Sequence, residues 1–408
     1  MIKFKYLTTI LIFIFLLFTN NIKSQEDNEI KINGFADSYH AFMHKDPYQF
    51  LSSRSRLRTE LTKSGETTSF FASINSIYNS IIENETKIEL RELFFQYTVK
   101  DIDLKVGRQI ITWGVADALR ITDIISPMDY SEFLARDYDD IRIPVNGLKF
   151  CINKNKYNLE FIFVPVTEYY IIPTSKENPW SITKDINSPF LINKNRKSKK
   201  LKNSEIGAKL SFYLNGIDFS ISALHSFNKT PVYNYGFNAD TLILNENYER
   251  LEMFGLDLSK TIGNFVVRAE GGIYINELQE NSINTLKPIK TNSINSLIGI
   301  DWYPGGDWNV SVQCYYKNID KKNIKGKQNS TMATFNISKK LLNNNLNLSS
   351  FAYYDISNKS VFNRFSADYA LNDQIHFIVG YDLFAGDKGI FATYKDNSEI
   401  WIKAKYSF

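Results

Sequence analysis

The sequence is poor in the residues that staple, ligate and catalyse. Among 408 residues there are two cysteines, Cys151 and Cys314, too few for a disulfide framework. There are four histidines: His40, His44, His225 and His376. No H-E-x-x-H, no paired cysteines, no phosphate-binding glycine loop and no G-x-S-x-G is present. His40 and His44 lie four apart, on one face if the segment is a strand, with Asp37 and Asp46 nearby. That spacing alone assigns no metal site, and no cofactor is expected. Excess charge of one sign is also missing, with 48 basic residues against 44 acidic. The balance argues against a nucleic-acid partner. Long apolar runs are absent beyond the first segment.

That first segment reads as a secretory signal. Lys3 and Lys5 precede an unbroken apolar run from Ile10 to Phe18, and residues 19–24 then turn polar. Nine apolar residues are too few for a spanning helix, which needs about 20. No cysteine sits at the boundary, which argues against a lipoprotein. Cleavage is expected after Ser24, leaving 25–408 as one unit. It removes three lysines, so 45 basic residues would face 44 acidic ones.

An exported chain without a second apolar run is either soluble or a β-barrel, whose strands are apolar on one face only. Abundant aromatics, 24 Tyr and 30 Phe, suit the interfacial girdles of a barrel. The last segment decides between them. Ile400, Ile402, Ala404, Tyr406 and Phe408 share one face; Glu399, Trp401, Lys403, Lys405 and Ser407 share the other. Period two with an apolar outer face is the transmembrane-strand pattern. A strand ending the chain on Phe408 also offers a signal to the barrel-assembly machinery. The alternation recurs. Ile206, Ala208, Leu210 and Phe212 oppose Glu205, Lys209 and Ser211. Phe265, Val267, Ala269, Ile273 and Ile275 oppose Arg268, Glu270 and Tyr274. Trp308, Val310, Val312, Cys314 and Tyr316 oppose Asn309, Ser311, Gln313 and Lys317; Val361, Phe365, Ala367 and Tyr369 oppose Arg364, Ser366 and Asp368.

Eighteen strands are predicted, near 29–43, 52–63, 67–79, 86–100, 102–112, 142–153, 155–165, 204–214, 217–227, 248–260, 264–277, 292–303, 308–318, 330–341, 346–357, 360–371, 374–384 and 398–408. Joints after even strands are tight and rich in Gly and Asn, which accept positive φ. Joints after odd strands are usually long, as at 113–141, 166–203 and 228–247. The expected fold is therefore all-β: a single antiparallel transmembrane barrel of about 18 strands, with short periplasmic turns and long external loops. Sixteen strands is the fallback, because joints near 80–86 and 357–360 are weakly marked. The tract 193–203 reads as loop. Both cysteines are expected unpaired and lipid-facing, on separate strands. The chain is expected in the outer membrane, in contact with its lipid, and a monomer by default.

Two stretches carry a family resemblance. The first runs from Leu104 to Gly114 (LKVGRQIITWG), followed by Asp117, Arg120, Thr122-Asp123-Ile-Ile-Ser-Pro127 and Asp129. The second is Gly380-Tyr-Asp-Leu-Phe-Ala-Gly386-Asp387, then Gly389-Ile-Phe391, Tyr394, Asp396-Asn397 and the final strand. Together they resemble a poorly characterised family of bacterial outer-membrane barrels grouped with alginate-export-type porins. The resemblance implies a pore for an exported or imported organic solute and leaves the solute open.

Two constellations are candidates for function. Arg54, Arg56 and Arg58 lie two apart on one strand face. Facing lipid, each would cost about 2–4 kcal/mol near the midplane, so they are expected in the lumen. There they either select anions or pair with interior carboxylates, with Glu60, Glu89, Glu92, Glu270 and Asp368 available. Arg108, Arg268, Arg364 and Lys403 complete the expected pore lining. The second constellation is the connection 113–141, with Trp113, Asp117, Arg120, Asp123, Asp129, Arg136, Asp137, Asp139 and Asp140, flanked by Arg142. It is expected to fold inward and narrow the pore. Its Val115–Leu119 part reads as a short helix, and Pro127 stops any continuation. The pairs Tyr169-Tyr170, Tyr315-Tyr316 and Tyr353-Tyr354 are expected to put one ring on each face.

Three readings compete. A channel for a small organic or anionic solute, or a glycan, requires open water in a polar lumen. A structural or adhesion barrel requires a lumen closed by its own salt bridges. An outer-membrane hydrolase, the least supported, requires a Ser–His contact on the outer rim.

Overall fold

Each segment with period-two alternation forms a strand in the computed structural model, which describes residues 29–408 apart from Asp139. The signal segment 1–24 and Asp139 therefore lie outside the described residues. In chain order the strands are β1 (Lys31–Met43), β2 (Phe50–Ser64), β3 (Thr68–Asn79), β4 (Lys87–Val99), β5 (Ile102–Gln109), β6 (Val145–Lys154) and β7 (Tyr157–Val164). Next come β8 (Phe190–Lys194), β9 (Glu205–Leu214), β10 (Ile217–Phe227), β11 (Val232–Asn238), β12 (Thr241–Asn247), β13 (Arg250–Ile262) and β14 (Phe265–Gln279). The last seven are β15 (Ile289–Gly305), β16 (Trp308–Ile319), β17 (Asn329–Leu341), β18 (Leu346–Asp355), β19 (Ser360–Ala370), β20 (Ile375–Gly386) and β21 (Glu399–Ser407).

Eighteen of these close into one antiparallel barrel, each paired with its neighbour in sequence apart from β8, β11 and β12. The first and last barrel strands close the ring. β21 pairs with β1 from Met43↔Glu399 to Phe35↔Ser407. Phe408 then exchanges both backbone hydrogen bonds with Gly34, at 3.0 Å each. A closed ring leaves no strand edge unpaired in hydrocarbon.

The short joints gather at one end of the barrel. Their backbones need positive φ, supplied by Gly216 (φ 76°) and Gly263 (φ 57°), and by Asn343 and Asn344 (φ 53° and 71°) in the turn after β17. Near this end an outward belt of Tyr97, Tyr157, Tyr213, Trp302, Trp308 and Tyr369 is exposed. Around most of the wall the outward residues are large and apolar, such as Phe254, Leu256, Ile294, Ile298, Val312 and Phe335. The wall differs at β1–β3. There His40 faces out, opposite Ser53 and Ile402, and its two ring nitrogens lie 3.0 Å from Ser38 Oγ and 3.0 Å from Ser53 Oγ.

Several local expectations fail for identifiable reasons. The tract 193–203 is not all loop. Asn193 and Lys194 end β8, which pairs in parallel with β12 about fifty residues later, with β11 on the far side of β12. No local pattern announces such a pairing. Cys314 is exposed as expected, but Cys151 is buried, with Sγ 3.9 Å from Glu160 Oε2. Its face of β6 also carries Lys149, which pairs with Glu160 at 3.2 Å, so that face is lumenal. Tyr353 is buried and Tyr354 exposed, as alternation requires. Tyr169 and Tyr170 instead lie in a loop. Tyr169 packs inward on Tyr248 with its ring tilted, and Tyr170 meets Arg120.

Candidate functional site

Residues 110–144 leave the wall after β5 and cross the inside of the barrel. Two features of the sequence make room for them. One is a set of inward-facing wall glycines. A Cβ on Gly207 would lie 2.8 Å from the Trp113 ring, one on Gly272 would lie 2.8 Å from Ile121 Cγ2, and one on Gly255 would overlap the Thr122 methyl. The other is apolar complementarity. Ile111, Trp113 and Ile125 bury themselves against Ile162, Leu224, Leu251, Met253 and Tyr274 of the β7–β14 wall. On the opposite side Phe133 and Ala135 join Met43, Leu51, Phe362 and Phe384, together with Trp180 and Tyr394 from two other long loops.

Val115–Leu119 is not helical: Ala118 stands at φ 63°, outside the right-handed helical region, and Glu270 ties the start of the segment to the wall. Its carboxylate accepts the backbone N–H groups of Val115 (3.0 Å), Ala116 (3.0 Å) and Thr122 (2.6 Å), and the Thr122 hydroxyl (2.8 Å). The wall thereby satisfies backbone donors that even a helix would leave without an intrahelical partner. Arg268 beside it joins Asp117 (3.0 Å) to Asp301 (2.7 Å). Trp113 donates its indole N–H to Glu160 (2.6 Å) and its backbone N–H to Asp123 (3.2 Å).

The arginine ladder faces the lumen, and its partners are not those expected. Arg54 pairs with Glu132 (3.0 Å), and Arg56 with Asp37 (2.5 Å) and Asp140 (2.7 Å). Arg58 pairs with Asp140 (2.9 Å) and with Asn75 (2.7 Å). Of the carboxylates proposed from sequence, Glu60, Glu89, Glu92, Glu270 and Asp368 make none of these contacts. Two of the three real partners, Glu132 and Asp140, come from the crossing loop. Lys403 reaches Asp137 of that loop (2.8 Å). Arg364 holds Asp382 through two nitrogens (2.9 and 2.6 Å) and donates to the Arg136 carbonyl (3.2 Å). Arg136 in turn pairs with Asp129 (3.0 Å).

Two expected lining residues lie elsewhere. Arg108 shares the outward face of β5 with Ile102 and Val106, opposite exposed Leu93. There it donates to the Leu90 carbonyl and lies 3.7 Å from Glu168. The alternation of β5 decides this, because Asp103 and Lys105 take the lumenal positions. Asp368 pairs with His376 (2.8 Å) near the short-turn end, away from the crossing loop.

Burial raises the carboxyl of Asp140, but the adjacent Arg56 and Arg58 outweigh it and hold it well below the usual carboxylate range. Asp137 and Asp129 are likewise depressed despite burial, by Lys403 and Arg136 respectively. Glu132, Glu160 and Asp382 were not singled out from the sequence. The alternation of β7 and β20 marks Glu160 and Asp382 as inward, whereas nothing local marks Glu132.

On its two faces the crossing loop leaves separate cavities. Toward the long-loop end lies one of about 370 Å3, bordered by Arg120, Tyr170, Tyr274, Tyr315 and Lys317. Toward the short-turn end lies one of about 600 Å3, bordered by Asp117, Arg136, Tyr138, Arg142 and a run of wall hydroxyls. Among the described residues no cluster of three or more His, Cys, Asp or Glu is placed to hold a metal ion. His40 and His44 do not converge. His40 lies between two serines, and His44 lies near the Ser398 carbonyl and the Tyr381 ring.

Solved structures share this architecture. OccK2 (OpdF) of Pseudomonas aeruginosa, in complex with glucuronate, superposes with a TM-score of 0.55 at 9% identity, over 93% of this chain and 98% of that one. OccAB3 of Acinetobacter baumannii gives 0.53 at 10% identity, over 94% and 99%. The outer membrane channel DcaP of Acinetobacter baumannii gives 0.48 at 8% identity, over 95% and 99%. At these identities the likeness concerns the fold, which is that of outer-membrane porins. No curated protein matches the sequence. A family model does, over residues 81–408, and the chain belongs to that family, described as protein of unknown function (DUF1302).

Proposed function

We propose that the chain is an outer-membrane channel for a small organic solute, narrowed by the loop 113–141, with its short-turn end in the periplasm. The observation that carries this reading is the crossing loop. It is tied to walls on both sides of the barrel, through Glu270 on one and Arg54, Arg56 and Lys403 on the other, yet water-sized space remains on both of its faces. Arg268, Glu270, Arg364 and Lys403 then line the narrowed lumen, with Trp113, Asp117, Arg120, Asp123, Arg136 and Arg142 as the constriction. The resemblance to alginate-export-type porins leaves the solute open between a small organic or anionic solute and an exported glycan. The C-terminal strand ending in Phe408 would present the assembly signal, after removal of residues 1–24.

One contact favours the hydrolase reading: His40 touches Ser38 and Ser53 on the outer wall. Against it, neither histidine nitrogen is oriented by a carboxylate there. The strands around His40 are paired on both sides, so their N–H groups are spent in the sheet and do not form an oxyanion hole. The closed structural barrel is separated from the channel by conductance. Protein refolded into planar bilayers should give discrete channels, and deletion of 115–137 should enlarge them. Absence of conductance from the intact protein, with large pores after the deletion, would identify a plugged barrel instead.

A further inference from the structure

We infer that the partition between the two cavities is an anion-binding eye made by Arg120, Asp123 and Arg142, taking a solute carboxylate on the free edge of Arg142. This rests on the channel reading. Arg120 borders the cavity on the long-loop side, and Arg142 borders the one on the short-turn side. Between them both arginines share one carboxylate. Asp123 Oδ2 lies 3.3 Å from Arg120 Nε and bonds directly to Arg142 Nη1. Asp123 Oδ1 is occupied by the Trp113 backbone N–H.

Two cations therefore face one anion, and the geometry leaves donors over. Arg120 spends Nη1 on the Tyr170 hydroxyl (2.8 Å) and Nη2 on the Ser126 carbonyl, and its buried Nε faces Asp123, so the donors left over belong to Arg142. Arg142 lies over the Tyr138 ring at 5.2 Å. A guanidinium held by one carboxylate oxygen and an aromatic face keeps a free edge for a second, forked carboxylate. The wall ladder differs, because Arg54, Arg56 and Arg58 meet Glu132, Asp37 and Asp140, three charges against three. Beyond Arg142 the larger cavity is bordered by Ser311, Thr334, Ser349 and Ser366, which suit a hydroxylated tail. The chemical class is thus a small carboxylate bearing hydroxyls.

The test is the reversal potential of the full-length protein in planar bilayers under a KCl gradient, then with gluconate replacing chloride. The wild type should prefer anions, and gluconate should carry measurable current. Arg142→Gln should lower the anion-to-cation permeability ratio about tenfold, because Coulomb's law in water gives about threefold for one unit charge about 6 Å from a passing ion, in opposite senses for anion and cation. Arg142→Lys should keep the ratio but lose gluconate current, because it retains charge without the fork. Asp123→Asn should raise the ratio. Heat-modifiable migration on gels checks that each variant is a folded barrel. Folded variants that conduct with an unchanged ratio would overturn the eye and leave the channel. A wild type that does not conduct at all would overturn both.

Discussion

Asp140 is the carboxylate that most sharply tests whether the loop is held by the ladder. It accepts from Arg56 at 2.7 Å and from Arg58 at 2.9 Å, in a site where its side chain is 13% exposed. Removing one partner of a buried pair costs about 3–5 kcal/mol, mostly as the desolvation of the charge left behind. Here each arginine keeps a second acceptor, Asp37 at 2.5 Å for Arg56 and Asn75 at 2.7 Å for Arg58. The lower end, about 3 kcal/mol, is therefore expected for Asp140→Asn. That raises the undocked population of the 136–142 segment about 150-fold. The rest of the loop should stay in place, because Glu132 and Glu270 remain tied. In single-channel recordings the variant should flicker between the wild-type conductance and a larger level. Asp387→Asn, on an exposed loop, serves as the control. Identical open-channel noise in wild type and Asp140→Asn would refute the claim that the ladder docks the loop.

Gly255→Leu should push Thr122 off the wall and raise mean conductance, at some cost in barrel stability because the new side chain also meets Ser222 and Met253 of the wall; unchanged conductance would mean that the glycine groove does not seat the loop. In liposomes, a lipophilic maleimide should label Cys314 and spare buried Cys151, while a charged maleimide labels neither; labelling of Cys151 from the bilayer would invert the assignment of β6. Asp129, Asp137 and Asp140 all have depressed carboxyl values in the docked loop. A depressed group contributes stability above its unfolded value, about 4, and loses it as pH falls through the lower folded value. Conductance should therefore stay level from pH 7 to about pH 4 and rise only below that; an opening transition near pH 5–6 would contradict these assignments.

The wall was legible because a barrel strand carries its own instructions. Alternation in β9, β14, β16 and β21 is read residue by residue, and the positive-φ residues that end each hairpin sit beside the strands they join. The inside was legible only in part. The inward course of 113–141 follows from length and charge, but Val115 to Leu119 looks helical, and nothing local announces its docking on Glu270, some 150 residues away. β8 is missed for the same reason, since its partner β12 is distant. Arg108 was misplaced by treating charge as sufficient for a lumenal position, when the parity of β5 already put it outside with Val106.

The ladder shows why a row of charges on one strand face does not by itself define a field. Burial forces Arg54, Arg56 and Arg58 away from lipid, so the wall must supply or recruit counter-charge at the same height. The wall supplies only Asp37; the other two carboxylates, Glu132 and Asp140, arrive with the loop. The same three arginines that would have made an electropositive channel are thus the surface onto which the loop docks, and docking neutralises them. What charge remains to act on a solute must lie where pairing is incomplete. Among the groups described, Arg120 and Arg142 share one carboxylate between them, on the line from one cavity to the other. Selectivity would then follow the loop and not the wall. Exchanging residues 113–142 between two members of the family should accordingly carry ion preference with the loop, and a preference that stays with the barrel would return the ladder to that role.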